Sequence, residues 1–199
     1  MITAKQLEIQ TGDNFLVRGS SFLSKSICKV MRKWAKKKGY SKYLVDRVMS
    51  HAAVVIVHTE LPNIPYLYGS TESGYKPIEF DKHYDWDNDE FIIMRRRNGM
   101  NDDQKAEVLR YCLHLTTVSI FYQYWNLIQW ILLVYLNFNT FKKDREAFTY
   151  CYESCYLTRR EVEPTKYPYL PNPDVFMLLG DDNYEIIYVS DKLRKELYG

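Results

Sequence analysis

Several signals are missing from this sequence. Its first fifteen residues, MITAKQLEIQTGDNF, hold no apolar h-region, so no secretory leader is read there and cytoplasmic synthesis is expected. The four cysteines, Cys28, Cys112, Cys151 and Cys155, form no CxxC pair, and no two histidines stand at zinc-like spacing. Neither a metal nor a cofactor is therefore expected. Four cysteines in 199 residues without a secretory signal also argue against a disulfide framework. There are no internal repeats and no low-complexity linker, so a single domain spanning 1–199 is the simplest organisation.

Charge is missing in two places. Residues 25–42 contain no acid, yet they carry Lys25, Lys29, Arg32, Lys33, Lys36, Lys37, Lys38 and Lys42. Net charge is only +2, so this cluster is local. A basic helix over 20–42 can be a plain solvated face or can meet a protein partner or an anionic surface. A nucleic-acid partner is not expected. From Leu115 to Phe141 there is no formal charge at all. The length would suit a bilayer, which needs about 20 apolar residues. However, Gln123, Asn126, Gln129, Asn137 and Asn139 interrupt the run. A hydrophobic helix near 116–138 inside the domain is expected over membrane contact.

What is present reads as α+β. Hydrophobic residues make up 46% of the chain, enough for a sizeable core. Tyrosine is abundant at 18 copies, which suits clefts and contact surfaces but names no activity. Strands are predicted near 14–18, 52–58, 66–71, 90–95 and 184–189, with a further candidate at 75–80. The β-branched run at 52–58 does not alternate, which marks a strand central in a sheet. Helices are predicted over 20–38, capped by Ser20 or Ser21 and closed by Gly39, and from Asn101 onward. A polar joint, FKKDREAF, leads to another helix starting near Tyr150. NPDVFMLLG reads as a short helix capped by Asn172.

Three separated pieces stand in a telling order. Gly12-Asp13 opens a strand, Ser50-His51 opens an apolar strand, and Cys151-Tyr152-Glu153 opens a helix. This order resembles the circularly permuted NlpC/P60 hydrolases, a papain-like group that includes YiiX-like proteins and relatives of lecithin:retinol acyltransferase. The resemblance spans roughly residues 11–189. It departs from the family at Tyr152, where a small residue is usual. It implies a mostly antiparallel central sheet with flanking helices and a Cys–His pair, Cys151 as nucleophile and His51 as base. It also implies a third polar group on the strand after the histidine, for which Glu72 is chosen over Ser70 and Thr71, with His83 and Glu79 behind. Glu153 is read as a helix-start carboxylate that positions Cys151. Cys155 is the fallback nucleophile, Cys28 a weaker one, and His58 and His114 have no motif support. The implied activity is a cysteine hydrolase or acyl transferase working through a thioester on a peptide, a peptidoglycan stem peptide or a lipid. The alternative is an inactive module of the same fold, a subunit of a larger viral or cellular assembly.

Overall fold

The structure is a computed structural model that describes residues 8–58, 64–71, 73–118, 124–138, 151–168 and 178–198. Its centre is a six-stranded sheet: β1 (Asn14–Arg18), β2 (His51–Val57), β3 (Pro65–Thr71), β4 (Gly74–Glu79), β5 (Glu90–Arg96) and β6 (Tyr184–Val189). The spatial order is β4-β3-β2-β1-β5-β6. Every neighbouring pair is antiparallel. This is the expected α+β architecture, an antiparallel sheet with flanking helices, and β4 joins it as a full member.

Both faces of the sheet are covered, which explains the unbroken apolar run of β2. Leu16, Ala52, Val54, Ile56, Tyr68, Ile92 and Met94 belong to one core. Phe15, Val17, Ala53, Val55, Leu67, Phe91 and Ile93 belong to the other. A strand's side chains alternate between faces, so a strand covered twice has no polar face to show. The second core is aromatic. Phe80, Trp86, Phe91 and Tyr188 meet edge-on or stacked, with Trp86 5.1 Å from Phe80 and 5.3 Å from Tyr188 between ring centres.

Two glycines serve the sheet directly. Gly12 has φ of +92°, a conformation that a Cβ disfavours, and an added Cβ would meet the Met100 sulfur at 2.5 Å. Gly69 lies where a Cβ would come within 3.1 Å of the Ala53 Cβ, so β2 and β3 fit closely only without one.

The helices are α1 (Phe22–Lys38), α2 (Lys42–Asp46), α3 (Phe80–His83), α4 (Asp102–Val118), α5 (Tyr124–Leu136), α6 (Cys151–Val162) and α7 (Asp191–Tyr198). Ser21 caps α1 by accepting from the Ser24 amide, and Gly39 closes it in the left-handed region. Asn101 Oδ1 accepts the Gln104 amide at 2.8 Å, which sets the start of α4. Of the hydrophobic helix expected near 116–138, residues 116–118 lie in α4 and Tyr124–Leu136 form α5, while 119–123 lie outside the described residues. Thr116 and Thr117 bond back to the carbonyls of Leu113 and His114 at 2.7 Å. Helices α2, α3 and α7 have no counterpart among the sequence expectations, because they are short. The joint FKKDREAF and most of NPDVFMLLG, including Asn172, lie outside the described residues. Among the described residues no helix is long and apolar enough to cross a membrane.

Candidate functional site

The Gly-Asp piece is built for architecture. Asp13 receives two hydrogen bonds from Arg95, Nε to Oδ1 at 2.9 Å and Nη2 to Oδ2 at 2.8 Å, and a third from the Gln10 amide. The fork ties the start of β1 to β5. Burial pushes the Asp13 carboxyl up, and Arg95 only partly offsets that. Asp13 pairs at the Val55 end of β2, since the Val55 amide donates to its carbonyl.

The Ser-His piece lies at the opposite end of the same strands. Ser50 Oγ donates to the Val17 carbonyl at 3.2 Å and accepts the Gly19 amide at 2.9 Å, stapling the end of β1 to the start of β2. His51 follows as the first residue of β2, opposite Val17. Strand alternation assigns His51 to the face of Ala53 and Val55. The protein around its ring pushes the imidazole down to about 4, so it is neutral at physiological pH.

Cys151, Tyr152 and Glu153 lie in the first described turn of α6. The helix rests on β2 and β3, on the Ala52–Val54–Ile56 face, with α4 alongside. Its direction is fixed at both ends. Tyr152 OH donates to the Met49 carbonyl at 2.5 Å, two residues before His51. Arg159 reaches Asn14 at the other end. The N-terminus of α6 therefore lies at the end of the sheet where His51 begins its strand. Cys151 is 3% exposed, and Glu153 is buried in the first helical turn, where a carboxylate is favoured by the helix dipole.

Tyr84 packs on Phe15, 4.7 Å between ring centres, and so lies on the face assigned to His51. Its phenol is pushed up to about 12 by burial, then by Asp89 and by Cys151. No sequence signal marks Tyr84.

The third-group candidates separate. Glu72 lies outside the described residues. Continuing the β2–β3 register from Val54↔Tyr68 brings Ser70 beside Ala52 and Thr71 beside His51. Thr71 is committed to its own turn, donating to the Gly74 carbonyl at 2.8 Å. Ser70 is buried on the α6 face, and its hydroxyl has no hydrogen-bond partner among the described residues. Glu79 pairs with Tyr66, hence beside Ile56, about 16 Å along β2 from His51. It is engaged with Lys82 at 2.7 Å. His83 is exposed at the end of α3.

The remaining thiols are enclosed. Cys155 and Cys112 are fully buried, and burial raises both, Cys112 to about 12 and Cys155 further. Cys28 is buried in α1 with its thiol raised, first by burial. His58 sits at the far end of β2, 3.2 Å from the Tyr68 hydroxyl, in a cleft of about 910 Å³ walled also by Ile9, Tyr66 and Leu109. A second cleft of about 580 Å³ is lined by Tyr43, Arg97 and Asp181 among others. Neither cleft is lined by Cys151 or His51. Among the described residues no group of three or more His, Cys, Asp or Glu could hold a metal ion.

Sequence reasoning also missed the charged centre at the inner end of α6. Arg159, 1% exposed, donates to Asn14 Oδ1 at 2.6 and 2.9 Å and to Asp181 at 2.5 Å, and its guanidinium lies 3.6 Å over the Tyr184 ring. Tyr167 OH also donates to Asp181, at 2.7 Å. Burial would raise the Asp181 carboxyl, but Arg159 and these donors leave it lowered.

No protein-family model matches the chain, and no curated protein matches it. Among solved structures it is similar to the metalloprotein YiiX from Escherichia coli O157:H7. The identity is 15%, the match covers 78% of this chain and 67% of that chain, and the TM-score is 0.41.

Proposed function

We propose that the chain is a papain-like cysteine hydrolase or acyl transferase acting on an amide or ester bond. The observation that carries the reading is positional: Cys151 lies in the first described turn of α6, and that part of the helix lies at the end of the sheet where β2 begins with His51. A helix N-terminus favours a thiolate and offers backbone amides to an oxyanion.

His51 is neutral at physiological pH. The Cys151 proton passes to His51 as sulfur bonds to the carbonyl carbon. The protonated histidine gives that proton to the departing amine or alkoxide. Water or an acceptor, deprotonated by His51, then attacks the thioester and frees the thiol. Glu153 positions the helix start in this reading. Glu72 is the candidate third polar group. The substrate is a peptide, a peptidoglycan stem peptide or a lipid acyl group.

The burial of Cys151 and the bulk of Tyr152 beside it support a second reading, an inactive module of the same fold. Exposure to an activated ester such as p-nitrophenyl acetate separates the two. On the first reading mass spectrometry finds an acyl group on Cys151, which is absent in Cys151→Ser and strongly reduced in His51→Ala. Acylation elsewhere, or acylation indifferent to His51, leaves the inactive module.

A further inference from the structure

Two ridges on the surface remain unused by this reading. On α1, Lys25, Lys29, Lys33 and Lys36 are exposed at spacings of four, four and three, so they line one side of the helix over about 17 Å. Their opposite side, Val30, Met31, Trp34 and Ala35, is buried in the core. On α5, Ile128, Ile131 and Tyr135 are exposed at i, i+3 and i+7. Leu136 and Phe138 extend the ridge at 70% and 62% exposure. The buried side of α5 holds Trp130, Leu133 and Val134.

The ridges adjoin. Trp34 meets Trp130 edge-on, 5.5 Å between ring centres, beneath them. At the surface Lys33 Nζ lies 3.6 Å over the Tyr135 ring, and Lys37 donates to Asn137 at 3.0 Å. A row of lysines without an acid thus borders a row of apolar side chains without a charge.

We infer that this double ridge is a docking surface for an anionic lipid bilayer. Apolar side chains exposed side by side need an apolar medium. The chemistry beside them is cationic, and long lysine stems let the ammonium groups stand at phosphate level while apolar neighbours enter the headgroup boundary. The surface does not depend on Cys151 chemistry.

Vesicle co-sedimentation without substrate tests it. The full chain is mixed with phosphatidylcholine vesicles, with or without added phosphatidylserine. It binds the anionic vesicles, and binding falls as salt rises. Each lysine near such a surface contributes about fivefold in partitioning. The exposed triple variant Lys25→Glu, Lys29→Glu, Lys36→Glu therefore loses at least about a hundredfold. Ile128→Ser with Ile131→Ser weakens binding at unchanged net charge. Circular dichroism checks that both variants stay folded. Absence of binding to anionic vesicles overturns the inference, as does binding indifferent to the lysine reversals. Concentration-dependent self-association, abolished by the isoleucine pair without any vesicle binding, assigns the ridge to a second copy instead.

Discussion

At the scale of single residues, burial decides what each titratable group does. His51 has its pKa lowered from about 6.5 to about 4 by burial. The unfolded chain therefore binds a proton between those values that the folded chain refuses. Stability is full above about pH 6.5 and declines as pH falls to about 4, by up to about 3 kcal/mol. Urea unfolding across that window should show this acid slope, and His51→Gln should flatten it. Cys155 is fully buried as a thiol. Cys155→Ser puts a hydroxyl in its place and is expected to cost about 1–3 kcal/mol, while leaving Cys151 acylation unchanged. A large loss of acylation in that variant, with the fold intact, would move the nucleophile to Cys155. Gly12→Ala forces a Cβ into a positive-φ site and should lower stability by about 1 kcal/mol or more, read from thermal unfolding.

At the scale of elements, α6 is the unusual one. A helix enclosed on all sides is ordinarily apolar all round, yet Glu153, Ser154, Thr158 and Arg159 are all buried here. Their polar groups find partners close by: Ser154 donates to the Cys151 carbonyl and Thr158 to the Ser154 carbonyl, both at 2.8 Å. Arg159 binds Asn14 and Asp181. These bonds fix how α6 sits over the sheet and hence where Cys151 falls. Arg159→Met leaves Asp181 a buried carboxylate without its cation. It is expected to cost about 3–5 kcal/mol, and chemical denaturation measures it. Because Asp181 is lowered in the folded state, its contribution is present above about pH 4 and lost on acidification. The variant should therefore lose part of the wild-type acid dependence. Arg159→Lys should recover only part of the stability, since one ammonium cannot hold both Asn14 and Asp181 as a fork does.

At the scale of the whole molecule, the sheet separates two cores of different character. The aromatic one is the smaller, and Trp86 anchors it from a turn, its Nε1 donating to Asp81 at 2.9 Å. Trp86→Ala removes the ring that joins Phe80, Phe91 and Tyr188. A loss of about 3–5 kcal/mol is expected, visible as a fall in thermal midpoint. The larger core carries α6 and α4 on one side of the sheet, and α1 with α5 closes it.

The sequence by itself determined the strands and most of the longer helices. Their signals are local: the non-alternating run of β2, the serine cap of α1, the asparagine cap of α4. The order of Gly-Asp, Ser-His and Cys-Tyr-Glu also fixed which elements carry the candidate residues. Only the tertiary structure decided what those residues face. Strand alternation assigned His51 to one face while α6 lay on the other, a matter of register between distant segments. Packing set Tyr84 against Phe15 from just beyond a short helix that has no periodic signal. The pairing of Asn14 with Arg159 joins residues 145 positions apart. Contacts of that range come from how the layers stack, and no spacing along the chain encodes them.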